Sequence, residues 1–307
     1  MDFSRWMPRL SSASVSTRLL YPDLHMHIPV TYLFVPGDRP ERFAKALQSG
    51  ADVVILDLED AVMPEAKDRA RAEVARFIQS QAGCVPRLVV RINDTTSKWF
   101  AADLELLRTT GILLAMLPKA ETPAQVALVR RALPPAGQIL LLIESARGVC
   151  DVDVLAATEG VARLVFGTLD YGLDLGLSGD ERGLIYAATR MAIASRCAGL
   201  ASPVAGVTPA IDDTPTLLAD VAFARATGFG AKLCIHPRQV APVRNAFAPD
   251  AVEIAWAKQV LVAATGTNGA VAVDGRMVDR PVLQKAQSIL ERAQYQTPEN
   301  SIQNPSL

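Results

Sequence analysis

The sequence predicts an α/β fold in which eight parallel strands alternate with helices. Eight short apolar runs follow one another along the chain, amphipathic helix-like stretches separate them, and polar residues follow most of the runs. Apolar runs without polar alternation are typical of parallel strands that are buried on both faces. Eight such strands with intervening helices predict closure into a TIM (β/α)8 barrel. Half of the 307 residues are hydrophobic, which suffices for one barrel and a small C-terminal lid subdomain.

The strands are predicted at the apolar runs themselves, and several helices at prolines that follow them. Proline is favoured at the first helical position, because its missing N–H would have no intrahelical partner there. The eight runs are Tyr32–Val35, Val53–Leu56, Leu88–Val90, Ile112–Leu117, Ile139–Ile143, Leu164–Phe166, Val204–Val207 and Lys232–Ile235. The helices predicted in this way are Glu41–Leu47, Glu65–Ile78, Ala124–Leu133 and Thr214–Ala226.

The end of the chain differs from the barrel, because no long apolar run follows Val240. Two predicted helices, Ala251–Ala264 and Pro281–Arg292, flank a glycine-containing loop and a short strand at Ala270–Val273. The first residues are rich in serine and arginine; this favours a loose terminal extension and leaves a cleaved organelle-targeting segment as the alternative. The predicted organisation is an N-terminal extension over 1–29, the barrel over 30–247, the lid over 248–296 and a flexible tail over 297–307.

Composition excludes several classes of protein and partner. A net charge of −1 gives no basic surface for nucleic acid or for an anionic membrane. No apolar run reaches the roughly 18–20 residues of a membrane helix. The cysteines are scattered without a CxxC pair, so we expect neither a zinc site nor a disulfide framework. We expect them to be reduced and mostly buried, in a cytoplasmic protein. They are Cys84, Cys150, Cys197 and Cys234.

Glu144 and Asp170 are the most informative pair of residues in the chain. Each follows an apolar run, and the two positions lie 26 residues apart, which is enough for one helix and one strand. The spacing therefore predicts both acids at the same end of neighbouring parallel strands, where a TIM barrel keeps its active site. Two carboxylates that leave coordination positions open for a substrate are typical of a site for Mg²⁺ or Mn²⁺.

Polar residues also end the other strands, and the motifs around them are specific. The second, third and fourth runs end in Asp57-Leu58-Glu59-Asp60, Arg91-Ile92-Asn93 and Pro118-Lys119-Ala120-Glu121. From residue 32 to about 282 the chain carries, in order, LFVPGDRPERFAKAL, VVILDLEDAV, VVRIND, LPKAE, LLIESARGV, FGTLDYGLDLG, KLCIHPRQV and DGRMVDRP. This ordered set resembles the citrate lyase β-subunit-like family, which includes malyl-CoA and citramalyl-CoA lyases within the wider HpcH/HpaI aldolase group.

The resemblance implies a Mg²⁺-dependent lyase that cleaves a 3-hydroxyacyl-CoA thioester, citramalyl-CoA or malyl-CoA. The retro-Claisen reaction would give acetyl-CoA and an α-keto acid. Glu144 and Asp170 match the family's metal ligands. Arg91 matches the arginine that contacts the keto-acid oxygen, and Glu59 and Asp60 match acids that border the metal through water.

The resemblance also implies residues outside the metal site. Asp279 matches the lid aspartate that exchanges a proton with the α-carbon of the thioester, and in the family this lid reaches a neighbouring subunit. Arg39 and the Lys232-to-Pro237 stretch, including His236, resemble segments that line the CoA groove. A homotrimer or hexamer is implied in the same way.

The chemistry of such a substrate agrees with the small number of carboxylates. A hydroxyl and a carboxylate on one carbon chelate a metal ion in a bidentate manner, so two protein carboxylates leave room for them. Arg91 is suited to the oxygen whose charge changes, because a guanidinium stays charged and offers a planar set of donors. The motif FGTLDYGLDLG departs from the typical pattern at Thr168 and Gly172, which bears on the fit of the substrate.

Several residues have a structural alternative. Arg91 could balance Glu59 or Asp60, and Lys119 is expected to form an ion pair, with a Schiff-base role as the weaker alternative. His236 is expected to cap a helix or line a groove and not to act as a base. Asp279 also fits a helix N-cap.

Three alternative functions remain open at this point. A citrate lyase β subunit would cleave a citryl carrier-protein thioester to oxaloacetate inside a complex. A relative resembling malate synthase would condense and then hydrolyse the thioester. A non-enzymatic assembly subunit would keep the metal site without turnover.

Overall fold

The structure of the chain is a computed structural model, and it describes residues 28–81, 87–179, 181–265, 271–273 and 276–296. Most of the predicted N-terminal extension, the predicted tail and Cys84 lie outside the described residues. The chain divides into two compact units between Arg244 and Asn245.

The first unit is a closed barrel of eight parallel strands in sequential order, which confirms the predicted TIM barrel. Each strand pairs with the next along the chain, and the last strand pairs with the first. The strands are β1 (Thr31–Pro36), β2 (Val53–Asp57), β3 (Leu88–Arg91), β4 (Leu114–Leu117), β5 (Gln138–Ile143), β6 (Val161–Phe166), β7 (Val204–Ala205) and β8 (Ala231–Cys234).

Helices follow the strands and cover the outside of the barrel. Short 3₁₀ turns at Pro40–Arg42 and Pro64–Ala66 begin with the predicted prolines and lead into the first two helices. The helices of the barrel unit are α1 (Phe43–Gln48), α2 (Lys67–Ser80), α3 (Phe100–Thr110), α4 (Pro123–Arg130), α5 (Ala146–Cys150), α6 (Val152–Ala156), α7 (Thr168–Leu175), α8 (Ile185–Cys197) and α9 (Thr214–Ala226). The helix that follows β8, α10 (Pro237–Phe247), runs past the boundary between the units.

Large apolar side chains fill the barrel, so its interior is a packed core. Arg163 lies deep in it and is 1% exposed. Its guanidinium donates to the carbonyl oxygens of Pro29 and Ser202 at 2.7 Å each and to the hydroxyl of Tyr32 at 3.0 Å. Since Pro29 precedes β1 and Ser202 precedes β7, this arginine ties together the amino-terminal end of the barrel, opposite the end where a site is expected.

The described residues of the second unit contain two helices and a two-stranded antiparallel sheet. The helices are α11 (Ala251–Thr265) and α12 (Arg280–Gln296), and the strands are β9 (Val271–Val273) and β10 (Arg276–Val278). Ala257, Val260, Ala286 and Ile289 form its buried core, so α11 and α12 pack against each other.

Two local expectations are wrong. Two short helices, α5 and α6, stand where one was expected between Glu144 and Asp170. Asp170 itself lies just beyond β6, as expected, in the first turn of α7. Cys234 is buried, but Cys150 and Cys197 are free and exposed, because both end helices on the surface. None of the described helices has the length and hydrophobicity needed to cross a membrane.

Candidate active site

A cavity of about 220 Å³ lies at the carboxyl-terminal ends of the barrel strands. Four acidic residues and Arg91 line it together with apolar side chains, so its wall is charged on one part and apolar on the rest. The cavity contains the predicted Arg91, Asp60, Glu144 and Asp170. Its other lining residues include Phe34, Asp57, Leu142, Phe166, Gly167, Val207, Leu233 and Ile235.

Glu144 directly follows β5 and is only 4% exposed. Its Oε1 accepts a hydrogen bond of 2.8 Å from the backbone N–H of Lys119, which lies just beyond β4. Burial raises the pKa of Glu144 to about 8, and the negative charges of Glu59 and Asp170 contribute to this increase. A positive charge placed beside such a buried carboxyl group stabilises its ionised form.

Gly167 allows the Glu144 side chain to occupy its place beside β6. A Cβ atom on residue 167 would lie 2.5 Å from the Cβ of Glu144 and 2.6 Å from its Oε2. Such distances are far inside van der Waals contact, so only glycine leaves room for this carboxylate. The glycine belongs to the motif quoted above, but its role follows from the close approach of two strands and not from the sequence pattern.

Asp170 is half-buried in the first turn of α7 and lines the same cavity as Glu144. The helix that carries it is fixed to the β5 side of the barrel, because Asp174 Oδ2 accepts a hydrogen bond of 2.7 Å from the N–H of Ala146 at the start of α5. Asp174 thus has an orienting contact one helical turn beyond Asp170.

Arg91 ends β3 and forms a two-pronged ion pair with Asp57, which ends β2. Nε donates to Asp57 Oδ1 at 2.7 Å and Nη2 to Oδ2 at 2.6 Å. The guanidinium also lies over the ring of Phe34, 4.7 Å from its centroid. Burial would lower the pKa of Arg91, but the charges and hydrogen bonds of the carboxylates around it raise that pKa further above its ordinary value. Arg91 is therefore a permanent cation in the cavity wall.

The sequence analysis did not single out Asp57 as the partner of Arg91. The two residues are direct neighbours in the parallel register of β2 and β3. Aligning the last residues of consecutive strands would have paired them, because facing ends of neighbouring parallel strands lie side by side.

Glu59 lies between the two basic residues of the site. Its Oε2 is 2.9 Å from Arg91 Nη1 and its Oε1 accepts a hydrogen bond of 2.9 Å from Lys119 Nζ. Burial raises the pKa of Glu59 despite the lowering effect of Arg91 and Lys119. Asp60 is largely exposed and lies 3.9 Å from Arg91. That Glu59 and Asp60 border a metal ion through water stays a prediction.

Lys119 forms the expected ion pair with Glu59. Burial would lower the pKa of its amine, but the hydrogen bond and charge of Glu59 outweigh burial and raise that pKa. A Schiff-base lysine needs a neutral amine, so this environment opposes that role.

Lys67 supports the loop that carries Glu59 and was missed by the sequence analysis. It is 5% exposed, and its Nζ donates to the carbonyl oxygens of Leu58 and Glu59 and to Asn93 Oδ1, all within 2.7–2.8 Å. Burial lowers the pKa of Lys67. The three acceptors take all three donors of the ammonium group, so the loop after β2 has a fixed path.

The residues predicted for the CoA groove lie in different surroundings. Arg39 is exposed in the loop after β1, and Pro237 begins α10. His236 Nδ1 accepts a hydrogen bond of 3.2 Å from the N–H of Arg238, as a capping residue does. Lys232 is buried, donates to the Gly206 carbonyl at 2.7 Å, and lines a second cavity of about 750 Å³. This cavity shares Phe166, Thr168, Leu169 and Val207 with the small cavity. Their role in CoA binding stays a prediction.

Asp279 lies in the second unit, directly before α12, and is exposed. Its Oδ1 accepts a hydrogen bond of 3.1 Å from the N–H of Val282. The structure therefore gives Asp279 the N-cap contact, and its role in proton exchange stays a prediction.

The lining of the small cavity fits a divalent cation. Asp57, Asp60, Glu144 and Asp170 carry four negative charges when ionised, against the single positive charge of Arg91. Asp57 is neutralised by Arg91, whereas Glu144 accepts only one backbone N–H among its described contacts. Oxygen donors of this kind suit Mg²⁺ or Mn²⁺. Among the residues that the structure describes, no cluster of three or more His, Cys, Asp or Glu side chains suited to a metal occurs.

Replacing Gly167 by alanine is expected to weaken binding of a divalent cation by at least about tenfold, because the new methyl group displaces the Glu144 carboxylate. Gly172→Ala is the matched control on α7: nothing lies within 4 Å of its Cβ position, so we expect unchanged metal binding. Titration of both variants with Mn²⁺, followed by electron paramagnetic resonance, measures the difference. Equal affinities in the two variants would show that the close packing of residue 167 on Glu144 does not matter.

Comparison with known proteins assigns the family. The profile of the HpcH/HpaI aldolase/citrate lyase family matches residues 31–237. The citrate lyase subunit beta-like protein of Mycobacterium tuberculosis is 38% identical over 276 residues, which are 87% of this chain and 97% of that protein. A mitochondrial citramalyl-CoA lyase of Rattus norvegicus is 28% identical and covers 94% of each chain. The crystal structure of M. tuberculosis CitE with magnesium, acetoacetate and coenzyme A has a TM-score of 0.78 and 37% identity, and covers 87% of this chain and 98% of that one. The chain therefore belongs to the HpcH/HpaI aldolase/citrate lyase family, the group of carbon–carbon lyases that its motifs predict.

Proposed function

We propose that the protein is a Mg²⁺-dependent lyase that cleaves the carbon–carbon bond of a 3-hydroxyacyl-CoA thioester, citramalyl-CoA or malyl-CoA. The products are acetyl-CoA and an α-keto acid. One observation supports the proposal: Glu144, Asp170 and Arg91 line the same cavity at the mouth of the barrel. A small α-hydroxy acid has the two oxygen donors and the negative charge that such a cavity accommodates.

Four charged residues of the cavity have distinct roles in this reaction. Glu144 and Asp170 would hold Mg²⁺, which when bound supplies a Lewis acid for the hydroxyl and carboxylate oxygens of the substrate. Arg91 donates to the oxygen that changes from hydroxyl to carbonyl as the bond breaks. Asp57 holds the guanidinium in one plane by the two-pronged contact, so the donors are oriented before substrate arrives. The apolar wall keeps water from the reacting atoms.

As the hydroxyl becomes the carbonyl of the keto acid, its proton leaves to water. A proton must also return to the carbon that leaves as the enolate of acetyl-CoA, since the broken bond leaves its electron pair there. Asp279 is proposed as the donor, delivered by the lid over residues 248–296. Its contact with Val282 uses Oδ1 alone, so Oδ2 is the oxygen proposed to carry the proton. We further propose that the lid serves a neighbouring copy in a homotrimer or hexamer, and that the protein is cytoplasmic.

A citrate lyase β subunit is the second candidate, because the citrate lyase subunit beta of Leuconostoc mesenteroides is 31% identical over 86% of this chain and 92% of its own length. That function would require a citryl carrier-protein thioester. The CoA in the CitE structure favours a CoA thioester for the present chain.

The test is an assay of the purified protein alone with citramalyl-CoA, malyl-CoA and citryl-CoA, with Mg²⁺ and with EDTA. We expect Mg²⁺-dependent release of acetyl-CoA with pyruvate or glyoxylate. Cleavage that requires an acyl-carrier partner would overturn the proposal in favour of the β-subunit role. Release of free CoA from acetyl-CoA plus glyoxylate or pyruvate would indicate a condensing thioesterase, and absence of turnover with every substrate would indicate an assembly subunit.

Binding of Mg²⁺ is expected to strengthen as the pH rises toward 8. The raised pKa of Glu144, about 8, means that a proton competes with the metal below that pH. We therefore expect the apparent Kd to fall by about tenfold for each unit of pH in the range from about 6 to about 7, and to level off above about 8. Calorimetric titration across this range measures it, and a pH-independent Kd would contradict it.

The stability of the metal-free protein should change in the opposite direction. A pKa raised above the unfolded value stabilises the fold at low pH, and this contribution is lost as the pH rises through the folded pKa of about 8. The increase in melting temperature caused by Mg²⁺ should therefore be larger at pH 8 than at pH 6.

A further inference from the structure

We propose that Lys119 is a positioning residue that sets two parts of the active site at once, through its backbone for Glu144 and through its side chain for Glu59. The inference rests on the proposed function only in taking Glu144 as a metal ligand. It concerns a residue that was predicted, from the sequence, only to form an ion pair.

The backbone of Lys119 is unusual. Its φ is +48°, and no other described non-glycine residue has a positive φ. Lysine is disfavoured in this left-handed region, whereas glycine adopts it freely. A lysine that keeps such a conformation must be held there by its surroundings, and backbone outliers of this kind concentrate at functional sites.

The left-handed turn directs the N–H of Lys119 to Glu144. Pro118 and Lys119 follow β4, and the next peptide returns to the barrel, because the N–H of Ala120 donates to the carbonyl of Leu142 in β5 at 3.2 Å. Between these points the N–H of Lys119 points to Glu144 Oε1 at 2.8 Å. Among the described contacts this is the only hydrogen bond to Glu144, so it fixes which carboxylate oxygen remains available.

The side chain of the same residue acts on the other half of the site. Its Nζ donates to Glu59 Oε1 at 2.9 Å, and Glu59 Oε2 lies 2.9 Å from Arg91 Nη1. Glu59 is 5% exposed at its side chain, whereas Lys119 is 46% exposed there. The lysine thus reaches from the rim to a buried carboxylate, and holds Glu59 so that it contacts Arg91 from one side.

A glycine at position 119 would supply the backbone conformation without strain, but it has no amine. The presence of lysine is explained if both contacts are needed. The two functions reside in different atoms, so different substitutions separate them.

The separating pair is Lys119→Gly and Lys119→Val, which both lack the amine. Glycine keeps the left-handed backbone, while β-branched valine disfavours it and turns the N–H away from Glu144. We expect Kd for Mn²⁺, measured without substrate, to stay within about threefold of the wild-type value in the glycine variant and to rise at least about tenfold in the valine variant. Lys119→Met keeps the length of the side chain, and it should lower kcat by about tenfold with Mn²⁺ binding unchanged.

Lys45→Met, an exposed position on α1, is the control for loss of a lysine and should leave both quantities unchanged. Circular dichroism and melting temperature report folding of each variant. If the valine variant does not fold, Lys119→Asn and Lys119→Ala give the milder comparison, because asparagine tolerates the left-handed region better than alanine.

Equal Mn²⁺ affinities in the glycine and valine variants would overturn the backbone role, and a methionine variant with wild-type kcat would overturn the side-chain role. If the wild-type protein binds Mn²⁺ but cleaves none of the thioesters, the proposed function fails, and the glycine–valine comparison still decides the inference on Glu144. A wild-type protein that binds no Mn²⁺ would overturn both.

Discussion

Replacing Glu144 by glutamine is expected to abolish binding of Mg²⁺ and to lower lyase turnover by about a thousandfold or more. Glutamine has almost the same shape and keeps an oxygen for the N–H of Lys119, so the change removes the negative charge and little else. Loss of the charge removes several kcal/mol of electrostatic stabilisation, and about 1.4 kcal/mol corresponds to a factor of ten in rate. Steady-state kinetics with a Mg²⁺ titration measures the effect.

Glu121→Gln is the matched control for this substitution. Glu121 belongs to the loop after β4 and accepts a hydrogen bond of 2.6 Å from Oγ of Ser145, the residue that follows Glu144. The amide oxygen of a glutamine at position 121 would accept the same hydrogen bond, so we expect Mg²⁺ binding and turnover close to wild type. If Glu144→Gln kept its Mg²⁺ dependence while Glu121→Gln lost it, the assignment of the metal ligand would be wrong.

Replacing Arg91 by methionine is expected to lower the free energy of unfolding by about 3 kcal/mol and to remove activity. The guanidinium is 11% exposed and contacts the buried carboxylates of Asp57 and Glu59. Without it, Asp57 would lose its ion pair, and Glu59 would keep Lys119 as its cationic partner among the described contacts. Urea denaturation measures the change in stability. The effect should diminish at acidic pH, where Glu59, whose pKa is raised by burial, takes up a proton.

Arg91→Lys separates the charge from the geometry. Lysine keeps a positive charge but lacks the planar pair of donors that meets Asp57, so we expect a folded protein with turnover reduced by about a hundredfold. Arg76→Lys on α2 is the control, since Arg76 forms an exposed ion pair with Glu73. If Arg91→Met were as stable as the wild type, Asp57 would tolerate the loss of its ion pair, and the expected loss of stability would be wrong.

The barrel was predictable from the sequence because its strands are buried on both faces and therefore leave continuous apolar runs. The predicted run Val53–Leu56 corresponds to β2, and Ile139–Ile143 to β5. The order of strand ends also predicted that Glu144 and Asp170 lie close together, and both line the small cavity. Cys150 and Cys197 were misjudged, since composition makes cysteine a buried residue on average but does not say which face of a helix end a given cysteine occupies.

The least predictable parts of the site depend on backbone conformation and register. The φ of +48° at Lys119 has no signal in the sequence, because lysine is not a residue that favours the left-handed region. The need for glycine at position 167 likewise becomes evident only from the structure, where the Glu144 side chain occupies the space of a Cβ atom. The pairing of Asp57 with Arg91 lies between these cases, because it needs only the alignment of two consecutive strands.

The lining of the small cavity is divided by charge around the barrel. Its ionised groups come from the ends of β2 and β3 and from the residues that follow β2, β5 and β6, whereas the lining from β7, β8 and β1 is apolar at Val207, Leu233, Ile235 and Phe34. The proposed substrate has a charged carboxylate end and a neutral thioester end. It would therefore bind in one orientation, with the carboxylate toward Arg91 and the thioester toward the apolar side of the cavity. The order of the strands around the barrel thus determines the orientation of the proposed substrate, because the reverse orientation would bury a carboxylate against apolar side chains.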